Sequence, residues 1–201
     1  MNYMVQIRPV GRDEILQVVA IHEQAFKDFF LTRLGPRFLQ TYYMALLQNP
    51  NGLLLGVYEQ DRLVAFAAST TRSAGFHSGL IKDNVIAFGK IGCWLLFTRP
   101  AALIRLLRNL TKKSSVDDMG EYAELLSIGV AVDRQGFGYG KKLLLATEKM
   151  CRQMKCSELS LTTDALDNAT ALSFYEKQGY KVLSDFIAYP HRKMLRLIKT
   201  L

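Results

Sequence analysis

The chain has 201 residues, 49% apolar and 22% charged, which fits a folded globular protein and excludes disordered and collagen-like chains. One domain spanning residues 1–201 is expected, because a chain of this size buries about 70% of its unfolded surface. The formal charge of +8 points to solubility or to an anionic partner: a phosphorylated cofactor, nucleic acid or a membrane surface.

Cys93, Cys151 and Cys156 have no paired metal spacing, and His22, His77 and His191 are scattered. No metal is therefore assigned, and a reduced cytoplasmic setting is expected. The N-terminus lacks the basic start and apolar run of a signal peptide. The most apolar stretch, 85–97, is interrupted by Lys90 and is too short to span a bilayer.

In chain order, 5–10 alternates like a first strand. Asp13 is placed to cap a helix running to Phe26, with Ile15, Leu16, Val19, Ala20 and Phe26 on one face. Gly35-Pro36 breaks the chain, and Pro36 suits the start of a helix to about Gln48. Strands at 53–59 and 63–70, joined through Gln60-Asp61-Arg62, read as a hairpin. Residues 71–120 read as a helical insertion ending in a polar loop. A strongly apolar strand follows at 124–132, then a glycine-rich turn and an amphipathic helix over 141–154. A strand at 158–163 and a helix at 168–178 come next, with Gly179 as its left-handed cap. Strands at 180–183 and 187–197 end the chain.

The informative segment is Val130-Ala131-Val132-Asp133-Arg134-Gln135-Gly136-Phe137-Gly138-Tyr139-Gly140-Lys141. A strand feeding a glycine-rich turn that opens a helix presents unpaired backbone amides at a positive dipole end, which suits phosphate. A Walker A loop fails at Gln135 and Lys142, and a dinucleotide fingerprint fails at Lys141 or Leu143.

Gln135, Gly138 and Gly140 match Q/R-x-x-G-x-G/A, and the segment from Asn168 through Phe174 and Tyr175 to Gly179-Tyr180 matches N-x-x-A-x-x-(F/L)-Y-x-x-x-G-(F/Y). The chain thereby resembles the GNAT family of acetyltransferases, closely over about 121–184. Val132 departs from the proline that many members carry there. The resemblance implies a mixed α/β fold: a mainly antiparallel sheet flanked by helices, splayed where coenzyme A enters, with 71–120 outside the common core. It implies acetyl-CoA as co-substrate, with Ile128, Gly129 and Val130 along the pantetheine arm. Gln135, Gly136, Phe137, Gly138, Tyr139, Gly140 and Lys141 would cradle the diphosphate, and Asn168 would contact pantetheine.

The resemblance also implies that Tyr175 is the general acid toward the thioester sulfur; the alternative is a packed tyrosine with a bonded hydroxyl. Glu124 matches the catalytic glutamate of some histone-type members. Its even spacing from Val130 puts both on one strand face unless a bulge intervenes. Glu124 as base, a solvated Glu124, and a water relay all stay open. Thr163 occupies the family's other base position and cannot serve; Glu121 is a weaker substitute. Cys151 and Cys156 lie outside the turn, so no acetyl-cysteine is indicated.

On the acceptor side, Arg33 and Arg37 either bind an acceptor phosphate or carboxylate or are solvated. The insertion, with Trp94, Arg99, Arg105, Arg108, Lys112 and Lys113, offers a roof for the site, a homodimer face or, through 85–113, a membrane-surface contact. The expected activity is direct acetyl transfer in a ternary complex to a small-molecule primary amine, such as an amino sugar or nucleotide-linked amino sugar. The alternatives are a protein N-terminal or lysine acetyltransferase and a non-catalytic CoA-binding sensor. No nucleic-acid partner is expected, because no helix-turn-helix, zinc or RNA-binding signature is present.

Overall fold

Gln60 and Asp61 both adopt left-handed backbone, with φ of 48° and 63°. That pair closes a two-residue turn whose twist suits antiparallel strands, and it joins β2 (Gly52–Glu59) to β3 (Arg62–Thr70). The structure is a computed structural model describing residues 5–27, 29–110, 120–188 and 191–201, with backbone alone at 105 and 107–110.

Around this hairpin a seven-stranded sheet runs in the order β1-β2-β3-β4-β5-β7-β6, with β1 at Val5–Pro9, β4 at Ala123–Val130, β5 at Glu158–Asp164, β6 at Lys181–Ala188 and β7 at Arg192–Thr200. Every pairing is antiparallel except β4 with β5. Helices α1 (Ile15–Ala25), α2 (Phe30–Arg33) and α3 (Pro36–Gln48) precede the hairpin; α4 (Phe76–Asp83), α5 (Val85–Thr98) and α6 (Pro100–Leu110) form the insertion; α7 (Tyr139–Gln153) and α8 (Ala169–Lys177) follow β4 and β5. This is the mixed, mainly antiparallel architecture that the motifs imply.

The sheet separates two apolar cores. One packs α1, α3 and the insertion helices on Leu54, Phe66 and Ala68. The other packs α7 and α8 on Leu55, Val64, Leu125 and Leu161. Helix α1 starts later than expected: residues 12–14 form a 3-10 turn, and Glu14, not Asp13, reaches back to the Gly11 amide at 2.6 Å. Arg8 and the Tyr58 hydroxyl, at 2.8 Å each, hold the same carboxylate. The short helix α2 has no counterpart in the expected elements.

Two features of β4 create the site. First, it pairs with β5 only from Ala123–Leu159 to Leu125–Leu161, and beyond that the strands part. Second, Ala68 faces Ser127 while Ser69 faces Leu125, so Leu126 is an extra residue, a β-bulge. The bulge reverses the alternation of side chains. Ala123, Leu125, Ile128 and Val130 all join the α7 core, although an unbroken strand would turn Ile128 and Val130 to the other face. Glu124 and Val130 therefore lie on opposite faces, which overturns the expectation that even spacing puts them together.

Candidate active site

Strand β4 feeds a 3-10 turn (Val132–Arg134) and then the glycine-rich segment. Gly136 and Gly138 have φ of +84° and +77°, conformations that carry a Cβ badly, and Gly138 is the N-terminal cap of α7. Gly140 differs in that its backbone is helical; as at the other two, no described residue outside the local backbone lies within 4 Å of where a Cβ would stand. A helical glycine costs about 1 kcal/mol relative to alanine, and neither backbone strain nor protein packing requires one here. Its open side leaves space against the helix start. The first backbone hydrogen bond at this end runs from the Lys142 N–H to the Gly138 carbonyl at 3.1 Å, so the amides just before it face that space. The residues present thus fit the diphosphate of coenzyme A.

A clamp holds the turn. Glu59, at the end of β2, accepts the Arg134 Nε–H at 2.7 Å and the Tyr139 hydroxyl. These two donors hold the Glu59 carboxyl below its ordinary value, Tyr139 foremost. Arg134 also meets Asp133 at 3.1 Å, and Arg62 reaches Asp133 at 3.4 Å. No motif flagged Glu59; its only signal is an acidic strand end beside a hairpin turn.

Where β4 and β5 part, a cavity of about 380 Å³ opens. Of the residues expected on the pantetheine side, Ile128, Asn168 and Tyr175 line it. Asn168 precedes α8 and donates from Nδ2 to Thr163 Oγ1 at 2.5 Å, which leaves its amide oxygen for other partners. Tyr175 is two turns along the same helix. Its ring packs edge-on against Phe174 and Tyr180. Its hydroxyl makes no hydrogen bond with a described residue, unlike the bonded, purely structural tyrosine of the alternative. Burial pushes it up to about 12, so it stays protonated and acts as a donor.

The opposite wall is aromatic and apolar: Phe26, Phe29, Phe30 and Met194. Arg192 lies over the Phe29 ring at 4.8 Å and is ion-paired to Asp164. His22 also lines this wall. It is buried, its Nδ1 lies 2.6 Å from the Tyr43 hydroxyl, and desolvation lowers its pKa to about 4, so the ring is neutral at pH 7. Tyr43 in turn bonds Ser127 at 3.0 Å, the residue after the bulge. Spacing gave no signal for this buried chain.

Glu124 does not line the cavity. It sits beside the bulge on the α4 side, accepts a hydrogen bond from Ser73 and lies 3.5 Å from Arg196. Glu121 is further out, paired with Arg72 at 3.3 Å. Arg33 and Arg37 are also absent from the cavity wall. Arg37 lies over Trp94 at 5.5 Å, and the Arg33 carbonyl accepts a bond from Arg99. Cys151 is buried and its thiol is pushed up to about 12, which suppresses the nucleophilic thiolate.

No curated protein matches this chain. Solved structures do match in fold. The ribosomal-protein-S18-alanine N-acetyltransferase from Escherichia coli aligns at 17% identity and TM-score 0.63, covering 98% of this chain and 94% of that one. The PaiA N-acetyltransferase from Thermoplasma acidophilum, solved in complex with coenzyme A, aligns at 15% identity and TM-score 0.59, covering 98% and 99%. The IAA acetyltransferase from Bacillus cereus aligns at 17% identity and TM-score 0.55, covering 98% and 100%. The family model of the acetyltransferase (GNAT) family matches residues 16–180, and the chain therefore belongs to that family of acyltransferase enzymes.

Proposed function

We propose that the protein transfers the acetyl group of acetyl-CoA to a primary amine directly, with both substrates bound at once. The observation that carries this reading is the gap between β4 and β5, which opens into a cavity lined by Tyr175, whose hydroxyl has no hydrogen-bond partner among the described residues. Bound acetyl-CoA supplies an activated acyl group as a thioester. The amides following Gly138 bind its diphosphate, and Ile128 and Asn168 orient the arm along the gap. Tyr175 supports departure of the thiolate. A free thiol has an ordinary pKa of about 8.5, so complete proton transfer from a phenol near 12 is uphill. The hydroxyl therefore acts first as a hydrogen-bond donor to sulfur.

The amine must enter neutral. Glu124 is separated from the cavity wall, so if it takes the proton it does so through water. That combines the two routes left open by the sequence.

The acceptor is a small amine with an apolar body. The amino-sugar phosphate reading rests on Arg33 and Arg37, which stand elsewhere, whereas the cavity wall offers Phe26, Phe29, Phe30 and Met194. An aromatic wall gains from burying an aryl or alkyl group. Release of free CoA, measured over a panel of arylalkyl amines, amino sugars and peptides with free α-amines, tests this. Turnover is expected to be highest with arylalkyl amines. Preference for phosphorylated amino sugars overturns the acceptor assignment, and preference for peptides supports a protein acceptor, as the name of the Escherichia coli neighbour describes for that enzyme.

A further inference from the structure

Helix α5 is apolar on both its inner and outer faces, with Lys90 at their border. Its inner face, with Phe88, Ile91, Trp94 and Leu95, packs on the first core. Its outer face carries Val85, Ile86, Leu96 and Phe97, with Ile86 74% and Phe97 85% exposed, and Ile104 of α6 is exposed as well. A helix that is hydrophobic on both faces is normally covered on both, and a phenylalanine this open marks a contact surface. Among the described residues no helix is long and apolar enough to cross a membrane, so this face does not belong to a spanning segment.

Charge indicates what covers it. From Asn84 to Val116 the sequence holds Lys90, Arg99, Arg105, Arg108, Lys112 and Lys113 and no carboxylate. Phe29 to Tyr58 is likewise free of acids and holds Arg33 and Arg37. The two stretches meet in space. Arg99 Nη1 donates to the Arg33 carbonyl at 2.5 Å, and the Arg37 guanidinium lies 5.5 Å from the Trp94 ring centroid. Among the described residues, Arg33, Arg37, Lys90 and Arg99 make no ion pair, whereas Arg62, Arg72, Arg134 and Arg192 all do. The eight cations of the two acid-free stretches equal the whole formal excess of +8, so the rest of the chain carries as many acids as bases.

We propose that α5 and the start of α6, rimmed by Arg33, Arg37, Lys90 and Arg99, dock on an anionic lipid bilayer. Exposed aliphatic and aromatic side chains beside unpaired cations suit the headgroup boundary, where the apolar groups enter and the cations meet phosphate. A second copy fits less well. Two-fold pairing through the same face brings these four cations against one another, with Asp83 at the end of α4 as the exposed acid beside the patch. Nucleic acid would use the cations and leave Ile86 and Phe97 in water. The patch adjoins the acceptor side of the site through α2: Leu31 lines both the main cavity and a smaller one beneath α4–α6 that Leu106 also walls.

The test is sedimentation of the full chain with vesicles of phosphatidylcholine, alone or with about one-third phosphatidylglycerol, at low and high salt. Binding is expected to the anionic vesicles, to fall steeply with salt, and to be weak on phosphatidylcholine alone. Lys90→Gln should weaken partitioning about fivefold, the effect of roughly one charge near the surface. Ile86→Ser with Phe97→Ser should weaken it further. Both variants should bind acetyl-CoA as the parent does, so failure to dock is distinguishable from failure of the acetyltransferase reading. Equal binding to both vesicle types, no binding to anionic vesicles at low salt, or a dimer in sedimentation equilibrium that Phe97→Ser dissolves would each overturn the proposal.

Discussion

The cofactor side and the acceptor side of the site are built from different material. On the cofactor side, residues 123–180 present backbone amides at the start of α7, the parted edge of β4 in the cavity, and the polar side chains of Asn168, which precedes α8, and Tyr175 within it. On the acceptor side, the junction of α1 and α2 presents the apolar rings of Phe26, Phe29 and Phe30, and Met194 from the far end of the chain joins them. A site made of backbone must be written in glycines at fixed spacing. A site made of side chains leaves no such spacing. This is why the cofactor is named by motif and the acceptor is not.

The largest expected effect sharpens the cofactor wall. Tyr175→Phe keeps the buried ring and removes the hydroxyl, so kcat should fall about 10²-fold or more while the affinity for acetyl-CoA changes less than about twofold. An unchanged kcat removes Tyr175 from the chemistry. Glu124→Gln keeps the shape beside Ser73 and Arg196 and removes the charge. If Glu124 takes the proton through water, the rate profile should move to higher pH with about tenfold lower turnover near neutrality. An unaltered profile shows that water alone accepts the proton.

The acceptor wall makes a smaller prediction, visible in stability. His22 is held neutral with a pKa near 4, against about 6.5 when unfolded. The unfolded chain therefore binds the extra proton first. The contribution is complete above about pH 6.5 and is lost as pH falls toward 4. Glu14 is lowered to about 2, chiefly by Arg8, so its contribution is complete above about 4.5 and is lost on the way to 2. Urea unfolding should show two successive losses as pH is lowered, and His22→Gln should flatten the upper one. A midpoint constant from pH 7 to pH 4 contradicts this.

Much of the fold was legible locally. The hairpin at Gln60-Asp61, the break at Gly35-Pro36 and the left-handed cap at Gly179 are decided by neighbours in sequence. The bulge at Leu126 was not legible, because the residues around it are nearly all apolar and a one-residue slip leaves the pattern unchanged. That slip moves Val130 away from Glu124. Arg33 and Arg37 were misplaced for a related reason: both stand near α2 in sequence, but their neighbours in space are Arg99 and Trp94, which the chain reaches more than 50 residues later. Glu59 clamping Arg134 and Tyr139 is a contact of the same long-range kind.

The central claim is that the amides opening α7 hold the diphosphate in space that Gly140 keeps clear. Calorimetric titration of Gly140→Val with acetyl-CoA tests it most directly. No described residue outside its own helix lies within 4 Å of the added Cβ, and valine is no worse than glycine in a helix, so the variant should melt within a few degrees of the parent. Its affinity for acetyl-CoA should nonetheless fall at least about tenfold. Undiminished affinity in a folded Gly140→Val protein would contradict the account.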